Sequence, residues 1–351
     1  MRTVLRPGAA LAVAASLLLA AACGGSGSSS SSTSSCSKMY KVGLVTDVGK
    51  LSDKGFNANS WQGVQDAAAN KSLCVQARAL ESNRSDDYAK NLALFGSQGY
   101  DLIVAVGFDL RPFAQTYAQQ NPKVKIAMVD GTADKPLANF LGLVFREDQA
   151  GYLAGAVAGL YTKTNQVAGI YGLDIPPVHR YRVGFENGAK AVNKNLKPSL
   201  GVYQPACNCP SDFNDPAWGK ARALEFIGRG ADVVFGAGGA TGNGALLASA
   251  QSKVACIGVD VDQFLTYPDV DSCLLTSAEK HISVAVRDTV TAAVKGQWKG
   301  GVQTFTAAND GVGVAPYHNY DSQLTADQKA KIDTIAKGLK DGSIKTGAEG
   351  S

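Results

Sequence analysis

Two stretches of the chain carry the same aromatic and polar signature. "LSDKGFNANSW" (51–61) and "SDFNDPAWG" (211–219) each run Ser-Asp, Phe-Asn and Trp in that order. Phe56 and Phe213 therefore stand in loops, among groups that prefer water. A lone loop phenylalanine usually packs into a core, but its repetition in one local context points to two rings facing each other across a cleft. A planar heteroaromatic ring between them gains offset stacking of about 0.5–1.5 kcal/mol per pair, beyond roughly 25 cal/mol per Å² of apolar surface buried. Trp61 and Trp218 each fall five residues after their Phe, on the helix that follows, and are assigned to packing.

Such a ligand needs partners for its edge and hydroxyls, and carboxylates at strand ends are placed to supply them. Asp47 closes "GLVTD", Asp130 closes "AMVD" and Asp260 closes "IGVD". A carboxylate accepts two hydrogen bonds from a vicinal diol or from a ring N–H and amino pair, and charge-assisted bonds are the stronger kind. For each Asp the alternative is a cap on the next helix or turn. "ADVVFGAGGATGNG" has the look of a dinucleotide loop, but Thr241 stands where the third glycine after Gly236 and Gly238 must fall, and no Gly-x-x-x-x-Gly-Lys occurs. Its glycines instead let backbone approach a ligand or adopt positive φ. Gly-x-Ser-x-Gly and His-Glu-x-x-His are missing, and His179 has no nucleophile beside it in sequence. The chain reads as a binder, not an enzyme, and no cofactor is expected. Arg146 and Glu147 are expected to form a hinge-region ion pair or a helix start.

These residues must be carried by a regular scaffold. Apolar, β-rich runs alternate with helical stretches about every thirty residues, the pattern of parallel sheets with helices on both faces. The runs form two sets of about five strands. "KVGLVTD", "CVQARALE", "DLIVAVGF", "VKIAMVDG" and "NFLGLVF" make the first; "QVAGIYG", "LGVYQPA", "ADVVFGAG" and "KVACIGVD" lead the second, with a seam near "FREDQAGYLAG". In "SDDYAKNLALFGSQG", Ser85 is placed as an N-cap with Asp86 and Asp87 in the first turn. Ligands of open α/β sheets sit beyond the carboxyl ends of the strands, and both Phe-Asn loops lie there.

The N-terminus is an address. "MRTVLRPG" and the apolar "AALAVAASLLLAAA" are a secretory leader over 1–22, whose apolar run is shorter than the roughly 20 residues that span a bilayer. Its end, "LLLAAAC", resembles a bacterial lipobox, with Ala20 in place of the expected Leu and Cys23 as lipid acceptor; the alternative is ordinary cleavage. Residues 23–37 add a Gly/Ser tether. The expectation is a folded body leashed outside the cytoplasmic membrane. Losing Arg2 and Arg6 with the leader takes Lys and Arg from 34 to 32 against 30 acidic residues, which gives no electrostatic footprint for nucleic acid. Six further cysteines in an exported chain suggest disulfides. Strand adjacency pairs Cys36 with Cys74 and Cys256 with Cys273, leaving Cys207 with Cys209. A Cys-x-Cys metal site is the rival for the last pair, but no histidine lies at ligand spacing.

At "TDVGKLSDKGFNANSWQG", "VFREDQAGYLAGA", "FNDPAWGKARA", "GADVVFGAGGATGNG", "GVDVDQ" and "TSAEKH", the chain resembles the basic membrane protein family of bacterial lipoproteins, the purine-nucleoside receptors of ABC importers. The resemblance implies a type I periplasmic-binding-protein fold, with two doubly wound α/β lobes joined by three crossing segments. The lobes are expected at 38–145 plus 278–303 and at 146–277 plus 304–345. It further implies a monomer that delivers a nucleoside to a permease. Phe56 and Phe213 would sandwich the base, Asn57 and Asp130 bond its edge, and Asp47, Asp260 and Lys280 hold the ribose, with the backbone of Gly238 close to the sugar. "PACNCPSD" before Phe213 departs from the family pattern. A sensor of the same fold for riboflavin or a sugar-like solute, or a nucleoside-cleaving enzyme, are the alternatives.

Overall fold

Runs such as "KVGLVT" and "LIVAV" are apolar on both faces, as strands covered on both sides must be. In the computed structural model, which describes residues 36–349, they build two sheets. The first holds β1 (Tyr40–Thr46), β2 (Val75–Leu80), β3 (Leu102–Val106), β4 (Lys125–Val129) and β5 (Phe140–Phe145). The second holds β6 (Val167–Tyr171), β7 (Leu200–Tyr203), β8 (Val233–Ala237), β9 (Ala255–Asp260) and β10 (Leu274–Lys280). Each sheet gains an edge strand that the sequence reading missed, β11 (Gly301–Phe305) beside β5 and β12 (Val312–Val314) beside β10. β11 is largely exposed and β12 is three residues long, so neither shows an apolar run. β12 is antiparallel and the other pairings are parallel.

The helices are α1 (Phe56–Ala69), α2 (Tyr88–Ser97), α3 (Arg111–Gln120), α4 (Glu147–Tyr161), α5 (Pro176–Val192), α6 (Pro216–Gly228), α7 (Gly239–Ser252), the single turn α8 (Gln263–Thr266), α9 (Ile282–Val294) and α10 (Ala326–Lys340). Helices α1, α2, α3 and α9 pack on the first sheet and α4 to α8 with α10 on the second lobe. α2 starts at Tyr88 after a 3₁₀ turn over Ser85–Asp87, and Ser85 caps nothing; the first-turn role expected of it passes to that turn. Trp61 and Trp218 are half-buried against their cores, as packing residues.

Both sheets have the strand order 2-1-3-4-5 with the extra edge strand beyond 5. The chain crosses between them after β5, β10 and β11. β10 runs to Lys280 and β11 to Phe305, so two crossings fall slightly beyond the boundaries read at 277/278 and 303/304. α4 leaves the first crossing and is buried on nearly every side. Gly151, Gly155 and Gly159 make this possible, because a Cβ on Gly155 would lie 2.0 Å from the Phe185 carbonyl oxygen of α5. Disulfides join Cys36 to Cys74, Cys207 to Cys209 and Cys256 to Cys273. The leader and Cys23 lie outside the described residues. Among the described residues, no helix is long and apolar enough to cross a membrane.

Candidate functional site

A 2-1-3-4-5 sheet opens a crevice between its first and third strands, where successive connections leave for opposite faces. The two crevices here face each other and enclose one cavity of about 670 Å³, part of it open to solvent. All eight residues picked from the sequence line it: Asp47, Phe56, Asn57 and Asp130 from the first lobe, and Phe213, Gly238, Asp260 and Lys280 from the second. The two phenyl rings thus reach one space from opposite lobes.

Phe56 opens α1, and its position is held by a residue that sequence reasoning left without a role. The buried Asp53 carboxylate accepts from the backbone N–H groups of Gly55 (3.0 Å), Asn57 (2.8 Å) and Ala58 (3.1 Å), satisfying the free donors of the first turn. Asp53 also accepts from Asn57 Nδ2 at 3.2 Å, which fixes the amide's orientation. The other end of that amide, Oδ1, is buried without a hydrogen-bond partner among the described residues.

Phe213 sits at φ +57°, in the left-handed region that costs a side-chain-bearing residue roughly 1–2 kcal/mol. Its surroundings impose this conformation. Phe213 N–H donates to Gln204 Oε1 (3.0 Å), which also accepts from Thr241 Oγ1 (2.9 Å), while Gln204 Nε2 donates to the Ser211 carbonyl (2.7 Å). The ring packs against Gly172, where a Cβ would come 2.2 Å from Phe213 Cε1. Gly238 meets Gly172 in turn, a Cβ there falling 2.3 Å from the Gly172 nitrogen, so both positions must lack side chains. The "PACNCPSD" segment closes on itself: the buried Asp212 carboxylate accepts from Cys207 N–H at 3.0 Å, beside the Cys207–Cys209 bond. Those sulfurs are joined to each other rather than set out as metal ligands.

The strand-end carboxylates are buried. Burial pushes Asp47 and Asp260 up to about 7, Lys280 partly offsetting the effect at Asp260. Gly107, at φ +106°, leaves room for Asp47, since a Cβ would lie 1.8 Å from Asp47 Oδ2. Asp260 stands at φ +66° and Asp130 at φ +65°, a conformation Asp tolerates better than most residues. Tyr181 of α5 places its hydroxyl 3.3 Å from Asp260 Oδ1 and 3.2 Å from the Ala278 carbonyl.

Lys280 has a different setting from the one its sequence context suggested. It is 1% exposed, and Nζ donates to both oxygens of Asp130, at 2.8 and 2.7 Å, with Glu147 Oε1 at 3.1 Å. Burial opposes its charge, but Asp130, Glu147 and Asp260 together hold its pKa above the usual lysine value. Asp130 is raised by burial against the pull of Lys280. The Lys280 ammonium also lies 5.0 Å from the centroids of the Phe56 and Phe145 rings. Arg146 and Glu147 mark a helix start, the N-cap and first residue of α4, and do not pair with each other. Arg146 grips both oxygens of Asp148, at 2.7 and 2.6 Å, and Glu147 accepts from Arg180 Nε at 2.8 Å, since consecutive residues at a helix start point to different faces.

Sequence reasoning passed over Asp53, Gly107, Phe108, Tyr181 and Gln204. The strand-end rule applied to "DLIVAVGF" could have found Gly107 and Phe108. Nothing local marks Tyr181, which α5 brings in from the side, or Gln204, which acts through the backbone of Phe213. Among the described residues lining the cavity there is no Ser, Thr, Cys or His, and the lining combines phenyl rings with carboxylate and amide hydrogen-bonding groups.

Two lobes of one strand order, linked by three crossings and enclosing a cleft at their switch points, define a type I periplasmic-binding-protein fold. A solute-binding protein of an ABC transporter system from Aeropyrum pernix K1 shares this fold with a TM-score of 0.78 at 22% identity, over 87% of this chain and 92% of that one. The family model for PnrA-like ABC transporter substrate-binding proteins matches residues 40–345, and the chain belongs to that family. Among curated relatives, the ABC transporter nucleoside-binding protein BmpA of Lactococcus lactis subsp. cremoris is 30% identical, with 84% of this chain and 87% of that protein covered. The CD4+ T-cell-stimulating antigen of Listeria monocytogenes is 32% identical, with 88% of each covered.

Proposed function

We propose that the protein captures a nucleoside, a purine nucleoside foremost, between its lobes outside the cytoplasmic membrane and presents it to an ABC permease while tethered through a lipid on Cys23. The observation that carries this reading is that one cavity is walled by Phe56 and Phe213 from opposite lobes and edged by buried acceptors. A flat base stacks between the rings. Asn57 Oδ1, without a partner in the protein, accepts a hydrogen bond from the base edge, because burial of an unpaired amide oxygen is costly until a donor arrives. Asp47 and Asp260 accept from the ribose hydroxyls. Asp130, with both oxygens on Lys280, serves as the second edge acceptor through its remaining lone pairs. Lys280 bonds the solute less directly than the sequence suggested and acts chiefly by orienting Asp130. The relative named as a nucleoside-binding protein lends this reading further support.

Ligands contacted by both lobes at once favour the closed form. The test is a thermal-shift and calorimetry panel of purine and pyrimidine nucleosides, free bases, ribose and riboflavin. At a hundredfold excess over Kd the true solute adds about 2.7 kcal/mol to stability. Stabilisation by ribose or riboflavin with no response to any nucleoside refutes the proposal, and appearance of free base on incubation with inosine would turn it into an enzyme.

A further inference from the structure

Away from the crossings the lobes also meet through Asn243 and Thr266 of the second lobe, neither of which lines the cavity. The Asp53 carbonyl accepts from Asn243 Nδ2 of α7 at 2.7 Å, and the Lys54 carbonyl accepts from Thr266 Oγ1 of α8 at 2.9 Å. The backbone at Gly55 comes close to the end of β9, where a Cβ would meet Asp260 Oδ2 and the Val259 carbonyl at 3.8 Å. Asn243 is held in place for its bond. Its Oδ1 accepts from Gln263 Nε2 (2.9 Å), Gln263 Oε1 accepts from Val259 N–H (2.9 Å), and Gln263 N–H donates to Ser277 Oγ (3.1 Å). Gln263 is buried, so this chain of bonds ties the Asn243 amide to β9 and β10. On the first lobe, the gripped carbonyl belongs to Asp53, whose side chain caps α1 and so sets the position of Phe56 and Asn57.

We propose that Asn243, oriented by Gln263, and Thr266 form a solute-independent latch with the Asp53 and Lys54 carbonyls, which biases the lobes toward closure and sets the affinity for every solute by one common factor. Neither latch residue lines the cavity. A contact present only in the closed form, and made without the ligand, raises the fraction of closed protein and so lowers each apparent Kd, which is the intrinsic Kd divided by that fraction. It cannot discriminate between solutes. The solute-binding role itself rests on the reading given under Proposed function; the latch geometry does not.

The experiment uses Asn243→Ala and Thr266→Val in the full protein. Calorimetry reads Kd for inosine, guanosine and adenosine, X-ray scattering reads the solute-free radius of gyration, and hydrogen exchange reads protection of residues 51–58. Asn243→Ala is expected to weaken each nucleoside that wild type binds by the same factor, about three- to tenfold for one hydrogen bond. It should also expand the solute-free protein and deprotect the loop. Thr266→Val, on an exposed turn where folding is not at stake, should move the same readings in the same direction by less. Losses that differ between nucleosides refute the latch, because a change in the closed fraction alters every Kd by the same factor. So do unchanged Kd, scattering and exchange in the folded variants. If wild type binds no nucleoside, the functional proposal fails, and the latch is then judged on scattering and exchange alone: equal values in wild type and variants refute it.

Discussion

Lys280→Met tests the electrostatics beneath the cleft. The substitution keeps much of the aliphatic stem and removes an ammonium that is 1% exposed, 2.7 Å from Asp130 and 3.1 Å from Glu147. Glu147 retains Arg180 at 2.8 Å, but Asp130 loses the cation that engages both its oxygens. Breaking a buried pair by removing one partner costs about 3–5 kcal/mol, because the remaining charge stays desolvated. For a body of some three hundred residues, with an unfolding entropy near 2.1 cal/mol/K per residue, that lowers Tm by roughly 5–8 °C. Asp130, already raised by burial with Lys280 opposing the rise, goes higher once Lys280 is gone. Below its new pKa the folded variant holds a proton that the unfolded chain releases, so the variant loses stability as pH rises and regains part of the deficit as pH falls. Urea denaturation of wild type and variant at pH 5.5 and 7.5 measures both effects. A deficit under about 1 kcal/mol at pH 7.5, or one that does not shrink at pH 5.5, refutes the argument that Lys280 chiefly neutralises Asp130.

The other expectations concern the cavity walls and the strand-end carboxylates. Phe56→Ala and Phe213→Ala should each weaken nucleoside binding by about 1–3 kcal/mol through lost stacking and burial, read by calorimetry with circular dichroism as the folding control. An unchanged Kd in a folded variant rejects the two-ring wall. Asp260→Ala should cost ribonucleosides more affinity than free bases, and equal losses would remove its part in holding the sugar. Asp47 and Asp260 rise from about 3.9 in an unfolded chain to about 7 in the fold because of burial. The folded state then holds more protons between about pH 4 and 7, and these groups make the solute-free protein less stable as pH rises through that window, by up to about 1.4 kcal/mol per unit each. Asp47→Asn should flatten the slope, and an identical slope in wild type and variant, from denaturation midpoints across pH 5 to 7.5, counts against a protonated Asp47.

What could be read from residues alone was whatever depends on short-range pattern. The apolar runs marked nine of the strands, their ends marked Asp47, Asp130 and Asp260, and the twice-occurring Phe-Asn loop marked two residues that share one cavity. Strand adjacency was enough to pair the cysteines, since each bond joins segments that neighbouring strands bring together or that lie two residues apart. Local pattern misled at Ser85, where an N-cap residue type occurs within a 3₁₀ turn and caps nothing. At Arg146 and Glu147 the helix-start reading holds, since α4 begins at Glu147 with Arg146 at its N-cap, while their charges face Asp148 and Arg180 rather than each other.

Tertiary structure decided which charges meet. Lys280 and Asp130 are 150 residues apart and lie at the carboxyl ends of strands in different sheets, so their contact exists only because the crossings bring those strand ends together. Tyr181 reaches Asp260 because glycines let α4 and α5 pack backbone to backbone. Gln204 shapes the Phe213 wall through hydrogen bonds to a backbone that no side-chain pattern reveals. Periodicity and residue type act over a few residues and survive in the sequence, whereas the partner of a buried charge is set by how distant segments pack, and that information appears only once the chain has folded.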